Sequence, residues 1–183
     1  MIIRFIFIFT FCFFYFANSF ANERDNQLDK LFKKLKIDNI SISSEIEEKI
    51  WKLWSEHPTD QNLTLKLKQG SKLVRENQLL KAVNIFNQVI ELDPSWAEAW
   101  NKRATVLYML GDFKGSQNDI DKVLSLENRH FGALAGQGLV NIKLKNYEKA
   151  IKSYKDALKI YPSMKSPEIM IKKIENLIKE ELI

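Results

Sequence analysis

Two histidines, His57 and His130, one cysteine, Cys12, and a scatter of carboxylates are what this chain offers for acid–base, nucleophilic or metal chemistry. Each histidine stands at the end of a helical pattern, where imidazole commonly serves as a dipole partner or cap. Cys12 lies inside a Phe-rich run at the start, so a chain that has lost that run holds no thiol and forms no disulfide. There is no HExxH, no G-x-S-x-G and no phosphate-cradling glycine loop. The acids alternate with lysines along polar helix backs, the pattern of solvated faces. No catalytic constellation can be assembled from these residues, so the expectation is a protein that is not an enzyme and uses no cofactor or metal.

The elements that must position any functional surface repeat. Phe131 to Pro162, FGALAGQGLVNIKLKNYEKAIKSYKDALKIYP, reads as two helices with apolar stripes, joined by a polar turn at Lys145-Asn146. The unit recurs at a shift of about 34 residues. Gly70, Ala104 and Gly138 share one register, and Ala82, Ser116 and Ala150 a second. Phe86, Ile120 and Tyr154 form a third, Val89, Val123 and Ala157 a fourth, and Pro94, Asn128 and Pro162 a fifth. The small residue of the first helix lets its partner approach, and Ala followed four residues on by an aromatic puts a small–large pair on one face of the second. Proline then ends that helix. Asp112 and Asn146, each just before an aromatic, read as caps of second helices.

With this period, the Ala-x3-aromatic pair and the closing proline, Leu63 to Pro162 resembles the tetratricopeptide repeat. The resemblance implies an all-α fold, a right-handed α-solenoid of three helix hairpins at 63–96, 97–130 and 131–164. Residues 22–62 then form a degenerate helix pair lying against the first repeat. It consists of a helix from about Asn26 to Lys36 and, after a loop, a second capped by Ser43 or Ser44 with Glu47. Residues 165–183 form a C-terminal capping helix, with Ser166 as N-cap and Pro167 as first helical residue.

Ahead of these lies a leader. Arg4 supplies a positive start, Phe5 to Phe16 is an almost unbroken apolar run, and Ser19 and Ala21 are the small residues of an exit. That is the layout of a secretory signal peptide, residues 1–21, and the run is short for a retained anchor. The formal charge is +5, of which Arg4 in the leader supplies one, leaving +4 spread thinly over the rest. No dense basic block marks a nucleic-acid footprint. The expectations are a periplasmic or secreted location, no nucleic acid, and no stable membrane insertion after cleavage.

In the repeat family the first helices line a concave groove that takes an extended peptide or a partner's helix. Carried over by position, the resemblance places Leu67, Ser71 and Val74 in that groove from the first repeat. Asn101, Thr105 and Tyr108 come from the second, and Ala135, Leu139 and Ile142 from the third. A two-carboxylate clamp for acidic chaperone tails would need cations where this chain has Leu67, Ser71, Lys102, Gly132 and Gly136, so that activity is not implied. Gly132 and Gly136 weaken their helix, by about 0.5–1 kcal/mol each relative to alanine. They are either drift near a helix start or room for a ligand backbone. Trp54 and Trp100 read as core, while Trp51 and Trp96 can be core or contact. Together with the leader, Trp96-Ala-Glu-Ala-Trp100-Asn-Lys-Arg-Ala104-Thr and Arg129-His-Phe-Gly-Ala-Leu134 resemble small exported tetratricopeptide proteins of Gram-negative bacteria. The implied function is a scaffold or adaptor whose partner is another protein, bound through a peptide or helix. The alternative is a structural subunit of an envelope assembly, joined through self-association or its convex side.

Cleavage is expected after Ala21, so N-terminal sequencing of exported protein should begin at Asn22. A Phe-rich segment retained in a membrane pellet would contradict it.

Overall fold

The computed structural model describes residues 23–37 and 40–181, and within them the chain forms nine helices and no strand. The leader lies outside the described residues. The helices are α1 (residues 23–35), α2 (Ile40–Ser55), α3 (Gln61–Arg75), α4 (Leu79–Leu92), α5 (Ala97–Met109), α6 (Phe113–Leu126), α7 (Phe131–Lys143), α8 (Tyr147–Ile160) and α9 (Lys165–Glu181). None is long and apolar enough to cross a membrane.

Three hairpins, α3–α4, α5–α6 and α7–α8, stack in chain order, and α9 packs on α8 where a fourth first helix would stand. Steric need explains the small-residue register. A Cβ added at Gly70 would fall inside the Phe86 ring, and one added at Gly138 inside the Tyr154 ring. In the middle repeat Ser116 replaces alanine, and its buried hydroxyl donates to the Ala104 carbonyl at 2.8 Å. The polar substitution is therefore satisfied.

The turns within the hairpins obey the same register. Asn77, Gly111 and Lys145 all take positive φ, at 56°, 83° and 58°. In each turn two amides return to the preceding helix, as Lys145 N–H does to Ile142 and Asn146 N–H to Asn141. This closure requires a left-handed residue after the helix. Asp112 caps α6 by accepting from the Gly115 amide at 2.8 Å, as expected. Asn146 makes no side-chain cap, whereas Asp60, overlooked in the sequence, caps α3 through the amides of Asn62 and Leu63.

The N-terminal hairpin departs from expectation. Its helix α2 begins at Ile40, so Ser43 and Ser44 lie inside it rather than at its cap. Nor does the pair simply extend the stack ahead of the first repeat. In later repeats the third position of the first helix is buried against the preceding hairpin, with Ala99 and Ala133 at 0% and 1% exposure. The equivalent Leu65 is 55% exposed, because no hairpin covers it. Instead α1 and α2 lie across the corners where one repeat passes to the next. Leu28, Phe32, Leu35, Ile46, Ile50 and Trp54 share one buried cluster with Phe131 and Tyr161. At ~1.5 Å per residue α2 is long enough to cross about three helices packed 8–10 Å apart. At the other end α9 starts at Lys165, which puts Ser166 and Pro167 in its first turn.

Lys145 holds a backbone conformation that costs an L-residue roughly 1–2 kcal/mol, partly offset by glycine's greater chain entropy. Lys145→Gly should therefore raise stability by about 0.5–1 kcal/mol in urea melts, and Lys145→Ala should not. Equal effects of the two substitutions would show that the turn is unstrained.

Candidate functional site

The corner residues Trp96, His130 and Met164 are spaced at the repeat period, and α2 lies along them. Trp96 is buried and donates its indole N–H to the Trp54 carbonyl at 2.9 Å. Trp54 stacks on the His130 ring with centroids 4.0 Å apart and planes within 7°. Trp51 meets His130 and Phe131 edge-on and covers Gly132, where a Cβ would enter its ring. Trp51 and Trp96 thus both serve packing, and the glycine at 132 is explained by Trp51 rather than by a ligand. Trp100 is half-buried, donates to the Pro94 carbonyl and stacks under Arg103.

Beneath the tryptophans lies a sealed polar network. His130 Nδ1 accepts the Ala133 amide at 3.0 Å, which caps α7 and leaves the ring proton on Nε2. That proton is donated to Glu98 Oε2 at 3.1 Å, with Asn101 donating to the same oxygen at 3.0 Å. Lys102 Nζ lies 2.9 Å from the other oxygen. Burial pushes the Glu98 carboxyl up, but the His130 hydrogen bond and the Lys102 charge outweigh it and hold it below the usual carboxylate range. The first corner repeats the device. His57 Nδ1 accepts the Asp60 amide at 2.9 Å, and Nε2 donates to Asp93 at 2.7 Å. His130 therefore caps the helix that follows it, and His57 instead holds the turn that leads to Asp60, the cap of α3. Their carboxylate partners, Asp93 and Glu98, were not legible in the sequence, although Asp93 stands at the repeat's corner.

Further pins hold the hairpin down. Glu47 accepts from Trp51 Nε1 and from the Tyr161 hydroxyl, whose pKa is pushed up to about 12 by burial and by the Glu47 charge. Arg129 bridges Asp29 of α1 and Glu127, with its guanidinium 4.4 Å above the Phe32 ring. Burial raises the Glu127 carboxyl, and the Arg129 donors bring it below the ordinary range. Glu98 and His130 are both buried, and their bonds fix the corner.

The open surface lies beside this network. A cleft of about 80 Å³ runs between α5 and α7, walled by Thr105, Tyr108, Gly132, Gly136 and Leu139, with Ile120 below. A Cβ at Gly136 would meet only Ile120 Cδ1, at 3.7 Å. Thr105 and Leu139 are exposed, and Asn101 reaches the edge of the cleft although its amide is committed to Glu98. The other residues placed in the groove by the resemblance are elsewhere. Leu67 belongs to the core of the first repeat, with Val74 packed against it, and Ser71 donates to the Leu67 carbonyl. Ala135 and Ile142 pack on the cluster around Ala150, Tyr154 and Ile174. The cleft thus gathers the second and third repeats and leaves the first aside.

The described residues hold no group of three side chains arranged for a metal. The sequence profile of the tetratricopeptide repeat matches residues 131–164, and a second profile of the same description matches 67–116. A TPR repeat-containing protein of Rhizobium etli is 30% identical over 157 residues, covering 85% of this chain and 74% of its own. That span is longer than the repeats and α9 together, so it takes in part of the N-terminal region. Hsp70-Hsp90 organizing protein 1 of Glycine max is 25% identical over 95 residues, 52% of this chain and 17% of that protein. Among solved structures, the first TPR of Spaghetti (RPAP3) bound to the HSP90 peptide SRMEEVD superposes with a TM-score of 0.63 at 19% identity. It covers 65% of this chain and 94% of that one.

The depressed Glu98 carboxyl makes stability depend on pH. Its contribution is complete above the ordinary value of 4.5 and is lost as pH falls through the lower native value. The melting temperature should drop below about pH 4.5, and Glu98→Gln should flatten that drop while costing roughly 1–3 kcal/mol at neutral pH. An unaltered acid limb in Glu98→Gln would place the proton uptake elsewhere.

Proposed function

Because the chain belongs to the tetratricopeptide-repeat family, we propose that it is a non-enzymatic interaction module of the cell envelope. It binds a peptide or helix of another protein in the concave cleft between α5 and α7. The observation that carries this reading is the open space over Gly136, where a first-helix position that could hold a side chain holds none. Helix propensity favours any larger residue there, so nothing in the packing of the fold explains the glycine. Apolar walls with a few hydroxyls suit a segment docked by its apolar side chains.

The tail-binding chemistry of the solved relative is not proposed here. Of the five clamp positions only Lys102 carries a cation, and it is engaged by Glu98. The envelope location rests on the leader's charged start, apolar run and small-residue exit. An assembly role through the convex side draws support from Leu80 and Leu92 of α4, which are 71% and 63% exposed.

The test is Gly136→Leu, combined with crosslinking in intact cells and recovery of the bound protein. The melting temperature should hold or rise, since leucine improves on glycine in a helix by somewhat under 1 kcal/mol. Recovery of the partner should fall at least about tenfold, the equivalent of 1.4 kcal/mol. Unchanged recovery in a stable Gly136→Leu protein, with loss in Leu80→Glu, would move the contact to the convex side.

A further inference from the structure

We propose that the occupant of the concave face is an acidic amphipathic helix that seats one bulky aliphatic side chain over Gly136. The inference rests on the reading of the α5–α7 cleft as the binding surface and adds the chemistry of what binds there.

The size of the cleft sets the first condition. At about 80 Å³ it is roughly half the 150 Å³ hole that takes a benzene ring, so it suits a four-carbon aliphatic chain. Apolar side chains also stand exposed on the first helices, each at a different height along its helix. Met109 of α5, Leu139 of α7 and Ile169 of α9 are 49%, 38% and 53% exposed, one from each successive first-helix position. Packed helices stand 8–10 Å apart. A helix rises about 10.5 Å between residues i and i+7, so side chains at that spacing on one face can meet neighbouring helices of the stack. An apolar stripe of this kind is the docking face of an amphipathic helix.

Charge sets the second condition. The cleft residues mark which first-helix positions face the partner: those of Gly136 and Leu139 are matched at the repeat period by Lys68 and Lys173. Both lysines are exposed and make no ion pair among the described residues. Arg75 and Lys143, in the last turns of α3 and α7, are likewise exposed and unpaired there. On α3, α5 and α7 almost no negative charge stands against these cations, whereas α9 carries the exposed Glu168 and Glu175. Helices α3 and α7 contain no carboxylate, and the single one in α5 is Glu98, buried and paired with Lys102. By contrast α4, α6 and α8 on the outer side each carry acids among their lysines. Dispersed cations around an apolar seam, without a fork that grips one carboxylate, fit carboxylates spread along the polar face of a helix.

Three labelled synthetic helices about four turns long provide the probes for fluorescence anisotropy with the full chain. One carries leucines on its apolar face and glutamates on the other. In the second lysines replace the glutamates, and in the third alanines replace the leucines. The Leu/Glu peptide should bind at least about tenfold tighter than either control, and more weakly as salt rises. Lys68→Glu with Lys173→Glu should cut its affinity several-fold, and Gly136→Leu should abolish binding at an unchanged or higher melting temperature. Absence of binding by the Leu/Glu peptide, or indifference to the lysine substitutions, overturns the proposal. Equal binding of the glutamate and lysine peptides, both lost in Gly136→Leu, overturns the acidic partner and keeps the cleft. Tight binding of the Leu/Glu peptide that ignores Gly136→Leu overturns the cleft reading itself.

Discussion

A carboxylate buried without partners would cost several kcal/mol, and Glu98 is almost completely buried at the second helix corner. The rest of the structure is arranged around satisfying it. His130 supplies one donor and can do so only in the tautomer that its own helix-capping bond selects. Asn101, three residues further along α5, donates to the same oxygen, and Lys102, one residue later, brings its charge within 2.9 Å of the other. The lid is Trp54, stacked on the imidazole, and Trp54 belongs to the N-terminal hairpin. The hydrogen bonds of a single acid therefore tie the second repeat to the third, and the stacked ring above them ties both to α2.

This arrangement changes what the stack can do. A solenoid held only by neighbour-to-neighbour contacts can vary its curvature, because each interface is independent of the next. Here α2 spans the corners from Trp96 to Tyr161, so a change of curvature would have to shear the Trp51, Trp54 and Phe131 contacts together. The surface between α5 and α7 is thus presented in one geometry. A pre-formed groove gives up less ordering entropy on binding than a mobile one, which favours capture of a short segment by a few apolar contacts.

The same hairpin limits the groove. Trp51 lies over Gly132 and closes the cleft at its corner end, while Gly136, one turn further on, is open. Two glycines that look alike in one helix serve opposite ends: one receives a side chain of the protein itself, and the other leaves space. Distance from α2 separates the two roles.

The repeat, its three hairpins and their turn positions were legible in the sequence, because each depends on residues close in the chain or one period apart. Gly70 with Phe86 and Gly138 with Tyr154 are such pairs, where a small residue meets a large one within a hairpin. The cap at Asp112 was legible for the same reason. The course of α1 and α2 was not. Their apolar faces are ordinary helical stripes, and a stripe records that a face is buried without recording against what. Likewise Leu67 and Leu139 were both expected to line a groove, yet one is core and the other surface, because they stand at different positions of the repeat. Asn101 and Ala135, one and two periods after Leu67, are not exposed either, whereas Thr105, one period before Leu139, is. The Glu98–His130 pair, 32 residues apart in the chain, exists only once the second and third repeats and the crossing helix have come together. What the sequence by itself determined was periodic and local; what only the tertiary structure decided was the partner of each buried polar group and the one edge of the stack left uncovered, since both depend on contacts that no spacing encodes.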